Sequence, residues 1–116
     1  MPLTVLRLDG TRVSDLSPLK GMPLMSLHLT GALVSDLSPL KGMPLTVLRL
    51  DGTRVSDLSP LKGMPLTNCT FTPKNITNGL GVVREMKTIQ QIGIDPGNML
   101  PPAEFWKKYD AGEYNK

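Results

Sequence analysis

Residues 1–21, MPLTVLRLDGTRVSDLSPLKG, return letter for letter as residues 43–63, and a close variant, MPLMSLHLTGALVSDLSPLKG, fills the 21 positions between them. Self-similarity at so short a period restricts the chain to a stack of one structural unit. A unit of this size cannot bury enough apolar surface to offset the entropy of ordering its own backbone. Each copy therefore depends on its neighbours, and the array stands or falls as a whole.

Within a unit, Leu3 to Leu8 ends in alternation (Leu6, Arg7, Leu8), the pattern of a short strand with one side buried. Asp9-Gly10 turns the chain off that strand, since glycine adopts backbone angles closed to other residues. Val13, Leu16 and Leu19 supply three more inward positions. Ser17-Pro18 followed by Gly21 reads as one helical turn with Ser as its cap, Pro at the first helical position and Gly closing it. Pro23 stops the helix from continuing. Each circuit thus makes one strand and one tight turn, and stacking lays the strands side by side as a parallel sheet about 4.8 Å apart.

Eleven Pro and eleven Gly would suggest low complexity if scattered, but seven of the prolines and six of the glycines hold fixed phases of the repeat. The net charge is only +3. Lys20, Lys41 and Lys62 share one phase and Asp15, Asp36 and Asp57 another, so charge cancels unit by unit. A nucleic-acid partner calls for a concentrated basic face with stacking aromatics, which the array lacks. The single Cys69 excludes an internal disulfide and any multi-cysteine metal site. No apolar run is long enough to span a membrane, and the first residues lack a secretion-signal profile, so a cytoplasmic location is expected. No cofactor is expected either.

A fourth strand begins at Leu66, with Cys69 and Phe71 in the next two leucine phases, which makes Cys69 a small core residue. After Thr72 the period breaks. Thr72-Pro73 reads as the start of a helix with Ile76, Leu80, Val83 and Met86 on one face, weakened by Gly79 and Gly81. Thr88–Ile92 adds an irregular fifth strand, ended by an Asp95–Asn98 turn. Pro101-Pro102 opens a last helix carrying Phe105, Trp106 and Tyr109, three of the chain's five aromatics. A solenoid must hide its terminal core behind an atypical segment, and this cluster suits that task. The division expected is a repeat array over 1–72 (units 1–21, 22–42, 43–63 and a partial 64–72) and a C-terminal cap over 73–116.

The Leu-x-x-Leu-x-Leu strand followed by Asp-Leu-Ser-Pro-Leu resembles the leucine-rich repeat family, in particular its short bacterial type found in internalin-like arrays. The resemblance covers residues 1–72. One departure stands out. The family usually carries Asn at the turn after the strand, where this chain has Thr11, Ala32 and Thr53. The phrase VSDLSPLKGMPLT and the final AEFWKKYDAG also resemble repeat tails of planctomycete proteins, some of which follow Ser/Thr protein kinase domains. The resemblance implies an α/β solenoid with a short parallel sheet on the concave side, 3-10 or short helical turns on the convex side, and a helical C-terminal cap. It also implies a module that binds protein.

Sites on such arrays lie on the concave sheet, where the non-leucine strand positions align in columns. One column is Arg7, His28, Arg49 and Thr70; a second is Asp9, Thr30, Asp51 and Thr72; a third is Val5, Ser26, Val47 and Asn68. The candidate partner-binding residues are Arg7, Asp9, Met25, His28, Arg49, Asp51 and Asn68. Arg7–Asp9 and Arg49–Asp51 either neutralise each other in solvent or offer guanidinium forks to a partner's carboxylates. His28, the only histidine, lacks the companions that zinc or catalysis needs, so no metal site and no enzyme activity are expected. Asn68-Cys-Thr70 and Asn75-Ile-Thr77 match the glycosylation sequon without carrying an argument of their own.

The flank of Leu3, Val5, Leu6, Leu8, Val13 and Leu16 has no covering coil, and an unpaired strand edge templates pairing with another chain. Self-association through it, most simply as a homodimer with the first strands antiparallel, is one expectation; an excised piece with earlier repeats missing is the other. The functional readings are a protein-binding module that self-associates, a purely structural homo-oligomer, and a regulatory arm of a larger signalling protein. No reading has the chain binding a membrane or nucleic acid.

Overall fold

A computed structural model of the chain describes residues 5–95 and 97–114. Among the described residues six strands form one sheet in chain order: β1 (Val5–Arg7), β2 (Ser26–His28), β3 (Val47–Arg49), β4 (Asn68–Thr70), β5 (Gln91–Gly93) and β6 (Met99–Leu100). The first five run parallel. Their register is Leu6↔Leu27↔Leu48↔Cys69↔Ile92, so chemically matched positions stand side by side down the stack. β6 folds back antiparallel on β5. Leu27, Leu48, Cys69 and Ile92 are fully buried, and Leu24, Leu37, Leu40, Leu45, Leu58 and Leu61 complete the same core.

Short 3-10 turns at Ser17–Leu19, Ser38–Leu40 and Ser59–Leu61 close the far side of the first three coils. The serine hydroxyl does not cap them, contrary to the sequence reading. The aspartate two residues earlier does: Asp15, Asp36 and Asp57 each accept the backbone N–H of the following serine at 2.9, 2.9 and 2.8 Å. In the first coil the Ser17 hydroxyl also donates to Asp15, at 2.7 Å. A carboxylate is a stronger acceptor than a hydroxyl and reaches back over the turn as an Asx motif. These bonds hold all three carboxyl groups below the ordinary aspartate range. Gly21, Gly42 and Gly63 then leave the turns with φ near +84°, a conformation that suits glycine.

The expected helix from Pro73 to Met86 does not form. Residues Pro73–Asn75 make a 3-10 turn, Ile76 is extended, Gly79 takes φ +81°, and only Leu80–Arg84 is helical (α1). The backbone between the two pieces is spent on the third coil. Thr77 and Asn78 N–H groups donate to Ser56 O, and Leu58 N–H donates to Asn78 O. A Cβ on Gly79 would overlap the backbone of Leu58 and Ser59, so only glycine permits this approach. Tertiary hydrogen bonds here outweigh the 3.6-residue pattern of apolar side chains.

The last helix, α2 (Pro102–Asp110), buries Phe105 and Trp106 over the end of the stack. Phe105 meets Phe71, next to β4, edge-on at 5.7 Å, and Tyr114 stacks on Phe105 at 4.9 Å. Arg84 of α1 holds Asp110 of α2 through two bonds of 2.9 and 2.6 Å and lies 5.1 Å from the centre of the Trp106 ring. The aromatic cluster is therefore a packed cap. Burial pushes the Cys69 thiol up to about 12, as befits a core residue with no nucleophilic character at neutral pH.

Candidate concave-face binding site

Because β1 to β4 are in strict parallel register, the outward position of each strand falls into line with the next. Arg7↔His28↔Arg49↔Thr70 is one such line, and Val5↔Ser26↔Val47↔Asn68 flanks it. Exposure falls along the stack: Arg7 and Asp9 are exposed, His28, Arg49 and Asn68 are half-buried, and Thr70 is fully buried. Met25, just ahead of β2, is 47% exposed and extends the strip with apolar surface.

The Arg49–Asp51 ion pair, one of the two readings the sequence allows, is not found among the described residues. Asp51, 6% exposed, instead accepts the Thr70 hydroxyl at 2.6 Å and the Thr30 hydroxyl at 3.1 Å. Neutral hydroxyls from the coils on either side reach this carboxylate at short range and join three coils through one side chain. Arg49 is left with Nη1 buried and without a hydrogen-bond partner among the described residues. Nor do Arg7 and Asp9 form an ion pair there; the pairs found among the described residues are Arg84–Asp110 and Lys108–Glu113.

His28 Nε2 lies 3.1 Å from Ser26 Oγ on the same face. Partial burial and then the charges of Arg7 and Arg49 hold the imidazole below its ordinary pKa, while Asp9 acts weakly the other way. The ring is therefore neutral at physiological pH. No group of three or more metal-ligating side chains occurs among the described residues.

Sequence reasoning missed the residues that tie the coils together. Thr46, Thr67 and Thr88 each donate a hydroxyl hydrogen bond to the preceding coil, to Met25 O at 3.1 Å, Thr46 O at 3.1 Å and Leu66 O at 2.6 Å. This ladder ties coils at the entry to the strands, a different place from the post-strand turn of Thr11, Ala32 and Thr53. There, the Thr11 and Thr53 hydroxyls bond only their own coil, to Leu8 O and Leu50 O, while Asn75 Nδ2 of the following segment donates to Thr53 O at 3.3 Å. The recurrence of Thr at positions 46, 67 and 88, 21 residues apart, was the available signal.

The self-association flank divides. Val5 is 45% exposed and Leu6, Leu8 and Val13 are half-buried, but Leu16 is only 1% exposed and belongs to the interior. Leu3 lies outside the described residues.

With a parallel sheet on one side, 3-10 turns on the other and a helical lid at the end, the architecture is decided. The fold is a leucine-rich repeat solenoid. Two solved structures from Listeria monocytogenes share it. An internalin (inlF) matches with a TM-score of 0.61 at 24% identity, over 79% of this chain and 34% of that one. An internalin C2 (inlC2) matches with a TM-score of 0.59 at 19% identity, over 78% of this chain and 50% of that one. The solenoid thus spans between a third and a half of the length of these internalins. No family model and no curated sequence relative matches the chain. No helix among the described residues is long and apolar enough to cross a membrane.

Proposed function

We propose that this solenoid is a protein-interaction module that engages a partner protein along the concave strip of Arg7, His28 and Arg49, with Met25 and Asn68 at its margins. The observation that carries the reading is the Arg49 guanidinium, which forms no ion pair with Asp51 among the described residues, the Asp51 Oδ1 accepting the Thr70 and Thr30 hydroxyls instead. A half-buried arginine with no carboxylate partner of its own among the described residues favours a carboxylate from outside. The leucine side of each coil is committed to the core, whereas this strip is free of structural duty.

Arg7→Ala with Arg49→Ala is expected to abolish retention of the partner by the immobilised chain, while Lys20→Ala with Lys41→Ala on the opposite side leaves it intact. Equal retention by both variants would overturn the assignment. The His28 ring supplies a second reading of the same site. A partner carboxylate over the arginines would offset their charge, so the His28 titration midpoint, measured by NMR, should rise on binding. Arg7→Ala alone should raise it in the free chain.

The same proposal has the chain self-associating through its first coil, supported by the exposure of Val5 and the half-burial of Leu6, Leu8 and Val13. Sedimentation velocity at micromolar concentration tests it, and a single monomeric species across that range would remove this part.

A further inference from the structure

We infer that the outer flank of the first coil is a preformed receptor for a coil with the sequence of residues 22–42, stacked in parallel register. The inference goes beyond the concave-face reading and does not depend on it. It rests on the identity of residues 1–21 and 43–63. The third coil shows what this sequence docks onto, because residues 22–42 lie against its N-terminal flank throughout.

That interface is defined in detail. β2 pairs with β3 as Ser26↔Val47, Leu27↔Leu48 and His28↔Arg49. Leu29 N–H donates to Arg49 O at 2.9 Å, Gly31 N–H to Asp51 O at 3.0 Å, and Arg54 N–H to Val34 O at 3.1 Å. Under this cover Leu48 and Leu50 are fully buried and Val55 is 2% exposed. The first coil presents the same groups uncovered. β1 pairs with β2 alone, and neither Asp9 O nor Arg12 N–H has the corresponding bond among the described residues. Leu6, Leu8 and Val13 remain half-buried where their duplicates are sealed.

The fit is directional and selective. A 22–42 coil brings His opposite Arg7 and Thr beside Asp9, as it does at Arg49 and Asp51. A 1–21 coil in the same place would bring Arg opposite Arg and Asp beside Asp, and like charges directly opposite in a ladder are destabilising. A folded second copy of the chain cannot supply the matching surface, since its own residues 43–63 cover it. The occupant is therefore a coil of the 22–42 type with its C-terminal flank free, and the antiparallel strand pairing expected from sequence would waste the leucine match.

The test uses the full chain with one further copy of residues 22–42 placed directly before Met1, which recreates the Gly42–Met43 junction. Thermal unfolding should shift upward by roughly 5–10 °C. Hydrogen exchange at the Val5 and Arg7 amides, which face the open edge, should slow by at least about tenfold, as expected when an edge strand becomes an inner one. A matched chain carrying a further copy of residues 1–21 should gain less than half that shift. An unchanged midpoint with unchanged exchange in β1 would overturn the inference, as would an equal gain from the two extensions. If the first flank also mediates self-association, the 22–42 extension should render the chain monomeric; loss of the thermal shift with self-association intact would sink the receptor alone.

Discussion

The first and third coils have the same 21 residues and different fates. In the third, flanked on both sides, Leu48, Leu50, Leu58 and Leu61 are all fully buried. In the first, flanked on one side, Leu6, Leu8 and Leu19 stay half-buried, and only Leu16 reaches the same depth. Sequence dictates the path of the chain equally in both: the same 3-10 turn, the same aspartate bond to serine and the same left-handed glycines recur, the last with φ of 67° and 84° in the first coil and 75° and 83° in the third. What differs is the environment. Local conformation is thus a property of the coil, while burial and most of the stability belong to the interface between coils.

The sharpest way to break this comparison is one substitution made twice. Leu48→Ala removes a fully buried side chain and should cost about 3–4 kcal/mol, whereas Leu6→Ala, at the same place in the same sequence, should cost about 1 kcal/mol. Equilibrium urea unfolding of the two variants measures both. Near-equal losses would mean that the first flank is covered in solution, which would itself point to self-association.

A smaller gap is expected at the aspartates after the strands. Asp51→Ala strips the acceptor from the Thr70 hydroxyl, which is fully buried, and should cost about 1–3 kcal/mol for the donor left unsatisfied. Asp9→Ala removes an exposed side chain with no hydrogen bond among the described residues and should change stability by less than about 0.5 kcal/mol. Asp51→Asn, which keeps an acceptor oxygen, should recover most of the loss. Failure of that rescue would show that charge, and not acceptance, is what Thr70 and Thr30 require.

The glycines test the other half of the argument. Gly10 and Gly52 take φ +67° and +75°, and neither would meet a clash on gaining a Cβ. Gly10→Ala and Gly52→Ala should therefore cost a similar amount, about 1–2 kcal/mol, set by the left-handed backbone alone. Unequal costs would show that the conformation of a coil depends on its neighbours after all.

Much of this was legible in the sequence for a physical reason. The period, the three-residue strands around Leu6, Leu27 and Leu48, and the Pro and Gly punctuation are properties of single coils, and single-chain patterns report them. Cys69 as a core residue and the aromatic lid followed from phase and from the need to close an apolar end. What stayed hidden depended on which of several polar groups wins a shared partner in three dimensions. Thr70 and Thr30 bond Asp51 where the sequence also offered Arg49, and Asp15 capped the turn in place of Ser17. The break at Gly79 was invisible for the same reason: the backbone of Thr77 and Asn78 was claimed by Ser56, 21 and 22 residues earlier in the chain. Threonine's part in the Thr46, Thr67 and Thr88 ladder was spelled out at a fixed phase, but a hydroxyl pattern has no signature until the coils are stacked.

The least effect is expected from acid. Hydrogen bonds from Ser17 and Ser59 hold the Asp15 and Asp57 carboxyls below the ordinary aspartate value, and Asp57 gains a further one from the Asn78 side chain. A carboxyl whose folded-state value is depressed binds its proton more readily in the unfolded chain. Its contribution is therefore complete above about pH 4 and is lost as pH falls through the lowered folded-state value. Asp15→Asn and Asp57→Asn should each lower stability slightly at neutral pH, converge with the wild type in acid and so flatten the fall in stability on the acid side. The flattening should be greater for Asp57→Asn, because only the third coil has a following segment that reaches back to its aspartate. Unfolding midpoints measured from pH 2 to pH 6 would decide it, and identical acid limbs for the two variants would show that the Asn78 bond adds nothing to the cap.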